Sequence, residues 1–139
     1  MNTLRFPPKM QFPPKMQITV TGRFTPYVRM TQRGKFVSKA ARRYFNSQKA
    51  LKAQIWAQMR EQGAEMLPAK RSFGLVAVVR MPKRLHAQDL DNQVKALLDA
   101  AQGIVFDDDR YLDSLTAVRV EDDIHSTTLT FYDIGEWAK

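Results

Sequence analysis

The chain has 139 residues, 44% of them hydrophobic, and a formal net charge of +8, which suits one compact domain burying somewhere near ~68% of its unfolded surface and argues against a second full domain. With no cysteine, disulfides, thiolate metal sites and cysteine nucleophiles are excluded, and stability has to come from packing. Pro-Pro pairs interrupt a basic N-terminus that offers neither the apolar run of a signal peptide nor a bilayer span, so the expectation is a soluble, intracellular (cytoplasmic) protein without a membrane partner.

Residues 6–17 read FPPKMQFPPKMQ, a tandem hexapeptide too short for a solenoid and rich in polyproline-favouring Pro; residues 1–16 are read as an extended tail and 17–139 as the folded domain. QITVTG alternates β-branched residues and closes on Gly22, as a short strand does. The loop RFTPYVRMTQRGKFVSK follows, with Arg23, Arg29, Arg33, Lys35 and Lys39 interleaved with Phe24, Tyr27 and Phe36. Such a mixture can grip a nucleic-acid backbone and stack on bases, and equally its rings can pack on a core.

Ser38 is the expected N-cap of a helix through Gln62, stopped by Gly63, with Tyr44, Leu51, Ile55 and Met59 on the core face and Arg42, Lys49 and Arg60 opposite. That basic face reads either as solvated or as a DNA-facing rail. Trp56 and Trp137 are expected to be packing residues. SFGLVAVVRMP, 72–82, is apolar and β-branched, a central strand ended by Pro82. After the basic turn KRLHAQ, with Lys83 and Arg84, a helix is expected from about Asp91 to Gln102 before Gly103. YLDSLTAVRVE and STTLTFYDI alternate like the arms of a hairpin joined around Asp122 to His125. The order β-α-β-α-β-β predicts a small α/β (α+β) domain with a mixed sheet and two helices.

Charge is segregated along this order. Residues 1–84 hold eighteen Lys/Arg and two Asp/Glu, whereas 85–139 hold four and twelve. The first part suits a polyanion, whose phosphates release counterions on neutralisation. The second would repel the same polyanion unless cations lie between, a tension that points to metal ions beside a phosphate backbone.

The acids concentrate in two places, DLDNQVK and the turn FDDDR. On an extended entry to the helix, Asp89 and Asp91 project to one side; within it, Asp91, Lys95 and Asp99 follow one flank, beside an apolar stripe of Val94, Leu97, Leu98 and Ala101. A DxD there can cap the helix or hold a ligand, and a run of three aspartates can be a solvated turn. Were Asp89, Asp91 and Asp109 to converge, each pair ~5 Å apart would repel by roughly 3 kcal/mol at an effective dielectric near 20. Such a cluster needs a divalent cation, and an all-oxygen set favours Mg²⁺, with Mn²⁺ as a substitute, over zinc. His86 and His125 are read as non-ligands.

DLDNQVKALLDAAQGIVFDDDR resembles the signature of the RusA family of Holliday-junction resolvases: Asp-x-Asp-Asn-x-x-Lys, then Asp-Ala, Gly and an acidic turn, the likeness extending over about residues 17–134. It departs at Ala101, where Leu is common, and in the wording of the basic loop. The resemblance implies a metal-dependent endodeoxyribonuclease that hydrolyses phosphodiesters of four-way DNA junctions as a homodimer. It also implies catalytic roles for Asp89, Asp91, Lys95 and Asp109, metal binding by Asp89, Asp91 and Asp109 with Asp108 as an auxiliary, and an orienting role for Asn92. Arg23, Arg29, Arg33, Lys35, Lys83 and Arg84 are the expected DNA contacts. Two rivals predict different outcomes: a non-catalytic DNA-binding module in which the acids are caps, and a related nuclease acting on flap or duplex DNA.

Overall fold

The structure, a computed structural model, describes residues 13–28 and 39–135. Arg29, Arg33, Lys35, Ser38, most of the tail and Trp137 lie outside them. The elements are β1 (Pro14–Thr21), α1 (Lys39–Gln62), β2 (Ser72–Met81), α2 (Leu90–Ala101), β3 (Leu112–Glu121) and β4 (Ser126–Gly135), with short 3-10 turns at Lys83–Leu85 and Asp109–Tyr111. This is the expected order. β1 begins three residues earlier than the sequence reading placed it, taking Pro14, Lys15 and buried Met16 from the repeat into the sheet, with a register shift between Pro14 and Met16.

The sheet runs β1-β4-β2-β3. β2 pairs parallel with β3 and antiparallel with β4, and β4 pairs antiparallel with β1. The expected β3–β4 hairpin does not form, because β2 lies between them. Phe73 to Val79 are all buried, and seven consecutive buried residues need a neighbour on each side, so β2 takes the interior and β3 the edge. β2, α2 and β3 thus make a parallel crossover unit.

Both helices pack on one face. Tyr44, Leu51, Ile55 and Met59 of α1 and Ala96, Leu97, Ala100 and Ala101 of α2 meet Ile18, Val20, Leu75, Ala77, Leu129 and Phe131 of the sheet in one core. Phe106, after α2, stacks on Phe73 with ring centroids 4.7 Å apart. Gln48 is buried among these apolar neighbours because its side-chain amide donates to the Ala96 carbonyl at 2.8 Å, which ties α1 to α2. Gly103, at φ +87°, lets the chain leave α2 in a left-handed turn, and its N–H donates to the Phe106 carbonyl at 2.7 Å.

Candidate active site at the head of helix α2

Asp89 occupies the N-cap of α2 in an extended conformation, yet its side chain makes no capping hydrogen bond. Its backbone carbonyl accepts from the Gln93 N–H at 3.1 Å, and its carboxylate meets only the Asn92 amide, at 3.4 Å. Asp91, in the first helical turn, is exposed, as is Asp89. Neither carboxylate has an ion-pair partner among the described residues. Two free anions thus share a helix N-terminus whose unpaired N–H groups favour negative charge. That is the arrangement of a ligand site more than of a cap.

The backbone beneath them is held firmly. Arg119, from β3, donates to the Gln88 carbonyl and, at 3.4 Å, to the Gln93 side-chain oxygen. Gln93 is fully buried; its amide nitrogen reaches the Gln88 side-chain oxygen at 3.0 Å and the Met81 sulfur at 3.5 Å. From the other side, the Tyr27 N–H donates to the Asn92 carbonyl at 3.0 Å. Polarity alone would have put Gln93 outside and read Arg119 as a strand surface residue. The available signal was an isolated base within a strand of the acidic part.

Lys95 has aspartates four residues before and after it, but pairs with neither within 4 Å. Its ammonium sits over the Tyr27 ring, 4.6 Å from the centroid. Tyr27 in turn meets Tyr44 edge-on at 5.7 Å, and the Tyr44 hydroxyl donates to Asp99 at 2.5 Å. Burial first, then the Asp99 carboxylate, pushes the Tyr44 hydroxyl far above its ordinary range and keeps it a donor. Asp99 is therefore engaged, and Lys95 remains available.

The acidic turn sits elsewhere. Leu112, three residues after Asp109, pairs with Phe73 at the start of β2, whereas Asp89 follows the end of β2. A parallel crossover puts these connections at opposite ends of the sheet, separated by at least the ~18 Å length of the twelve-residue helix. Asp109 therefore does not join Asp89 and Asp91 within one chain, and among the described residues no three Asp, Glu or His side chains come together to hold a metal. Asp108 is occupied: it accepts from the Arg110 N–H at 3.0 Å and pairs with the guanidinium at 2.9 Å. Asp109 is exposed, with no ion-pair partner among the described residues.

Lys83 and Arg84 are exposed in the turn leading to Asp89. Arg23 and Arg43 line a cavity of about 500 Å³ with Phe24, Pro26, Val28 and Gln88, so positive charge borders the residue preceding Asp89. Along the other flank of α2 runs an open groove of about 620 Å³ lined by Leu90, Val94, Leu98, Leu115 and Ala117, with Asp91 and Lys95 on its rim. Leu115, on the sheet's edge strand, is 48% exposed. His86 contacts the Met81 carbonyl at 3.1 Å, and His125 packs on the Phe24 ring, its basicity lowered by burial and then by Arg23. Neither points to metal binding.

The free donors at the head of α2 are carboxylate oxygens without sulfur or available imidazole, chemistry that fits a hard divalent cation but supplies only two protein ligands per chain. A comparison with curated proteins gives no significant match. A protein-family model, Endodeoxyribonuclease RusA, matches residues 17–130, which takes in most of β1, both helices, the two acidic segments and the first half of β4. No described helix is long and apolar enough to cross a membrane. On this match, and with the expected element order in place around the DLDNQVK and FDDDR segments, the chain belongs to the RusA family of endodeoxyribonucleases, enzymes acting on Holliday junctions.

Proposed function

We propose that the protein is a divalent-cation-dependent endonuclease that resolves four-way DNA junctions as a homodimer. Each active site would combine Asp89 and Asp91 of one protomer with Asp109 of the partner subunit. The observation that carries this reading is the pair of unpaired carboxylates on a braced backbone at one end of α2, with a third free carboxylate at the other end. An exposed apolar groove runs along the helix between them. A two-fold axis perpendicular to α2 sets two copies of the helix antiparallel, bringing the head of each toward the tail of the other. The groove and the free edge of β3 are the surface such pairing would cover.

In this assembly Asp89, Asp91 and the partner subunit's Asp109 would hold Mg²⁺ or Mn²⁺, which when bound supplies Lewis acidity to the scissile phosphate and lowers the pKa of a coordinated water. Lys95 adds positive charge where the attacked phosphate gains negative charge, in a site otherwise dominated by carboxylates. Tyr27 keeps that ammonium from collapsing onto Asp91 or Asp99. The water oxygen bonds to phosphorus, the P–O3′ bond breaks, and the leaving 3′ oxygen takes a proton. Arg23, Lys83 and Arg84 hold the flanking phosphates. Two such sites related by a dyad match a substrate that is approximately two-fold symmetric and needs two cuts.

The decisive assay compares four-way junction, flap, fork and linear duplex with and without Mg²⁺ under competitor DNA. Junction-selective, Mg²⁺-dependent cutting is expected, and Asp91→Asn should bind the junction normally while cutting on the order of a hundredfold more slowly or worse. Equal cutting of all four substrates would leave a nuclease that is no resolvase. Undiminished cutting by Asp91→Asn would remove the carboxylate pair from the chemistry.

A further inference from the structure

The outer ridge of α1 carries Arg42, Phe45, Lys49, Lys52, Trp56 and Arg60, one after another at spacings of three or four residues, which places them along one side of the helix. All six are exposed. Phe45 and Trp56, which burial would ordinarily claim, are 36% and 53% exposed, correcting the expectation that Trp56 packs in the core. The Arg60 guanidinium lies over the Trp56 ring, 4.7 Å from its centroid. None of the four bases has a carboxylate within 4 Å among the described residues. Glu61, the sole acid in α1, is turned about 100° from Arg60. An ordinary solvated helix intersperses both signs, and a core helix hides its aromatics; this ridge does neither.

Resting on the nuclease reading, we infer that this ridge is a second DNA-contact track, outside the active site, that carries the backbone of one junction arm. The four bases would meet phosphates, while Phe45 and Trp56 would lie against sugars and any unstacked base. From Arg42 to Arg60 the ridge spans ~27 Å, the rise of about eight base pairs. Its charge disfavours a second α1 as occupant and suits a polyanion. Its start adjoins the site: Arg43, next to Arg42, lines the same cavity as Gln88, the residue before Asp89. The track leads a strand away from the cut and lends affinity without touching the reacting atoms.

The test uses K49A/K52A in the full-length protein and measures junction affinity across a salt series in metal-free buffer. A second variant, W137F, leaves Trp56 as the single fluorescent tryptophan. Removing two phosphate contacts from each protomer, four per dimer, should weaken junction binding about a hundredfold near 0.1 M salt and flatten the log–log salt slope by about 3.6. Cutting at saturating protein should stay within about twofold, and Trp56 emission in W137F should be quenched by junction DNA. An unchanged slope and affinity, or no quenching at saturation, overturns the track. If the unsubstituted protein binds junctions but yields no Mg²⁺-dependent product, the nuclease reading fails instead, and the salt slope still decides the track.

Discussion

The two ends of α2 handle acidic residues in opposite ways. At the C-terminal side, most of them hold structure: Asp108 pairs with Arg110, Asp113 accepts from Ser72, and Asp133 pairs with Arg71 at 3.3 Å. At the N-terminal side the bonding is reversed. There the backbone is clamped by Arg119, Gln93 and Tyr27, while the carboxylates of Asp89 and Asp91 are left free. Asp107 and Asp109 are the exceptions on that side, without an ion-pair partner among the described residues and flanking a paired Asp108. An acid that braces a turn cannot easily surrender its oxygens, whereas an unpaired acid on a rigid frame is already oriented for a ligand and loses little entropy on binding it.

If the two ends serve one site only across a dimer, the sharpest probe mixes two inactive proteins. Asp91→Asn and Asp109→Asn should each be inactive alone. After subunit exchange, half of the dimers are mixed and each mixed dimer regains one intact site, so nicking should return to about a quarter of the unsubstituted level. No recovery on mixing would place all the acids of a site in one chain. A smaller effect should come from the clamp. Arg119→Met is expected to raise the Mg²⁺ needed for half-maximal cutting by about ten- to a hundredfold, with metal-free junction binding unaltered and Arg119→Lys restoring part of the loss. Equal loss of binding and cutting would make Arg119 a general stability residue. The smallest effect belongs to the Lys95 support: Tyr27→Leu should slow cutting severalfold at unchanged affinity, in line with a cation–π contact of ~0.5–1 kcal/mol, while Tyr27→Phe, which keeps the ring, should cut normally.

Much of the fold was legible because it is written in local periodicity. Tyr44, Leu51, Ile55 and Met59 are buried as their helical spacing requires, and the apolar run at 73–79 is an interior strand. Strand partners are not local. Alternation in residues 111–121 and 126–134 shows two strands but not that β2 separates them, and a presumed hairpin concealed the parallel crossover that sends Asp89 and Asp109 to opposite ends. The carboxylates themselves were identifiable from DLDNQVK and FDDDR. What orients them was not, since Arg119 and Gln93 act through contacts with Gln88 that only tertiary structure creates. The choice between Asp108 and Asp109 likewise needed the structure: Asp108 alone of the two is engaged by Arg110.

The length of α2 has a consequence for control. Under the proposed dimer, a nuclease whose acids are held a helix-length apart is inert as a lone subunit, so newly made chains would pose no hazard to the genome until they meet. Below the pairing constant, activity should climb with the square of protein concentration, making abundance itself the safety catch.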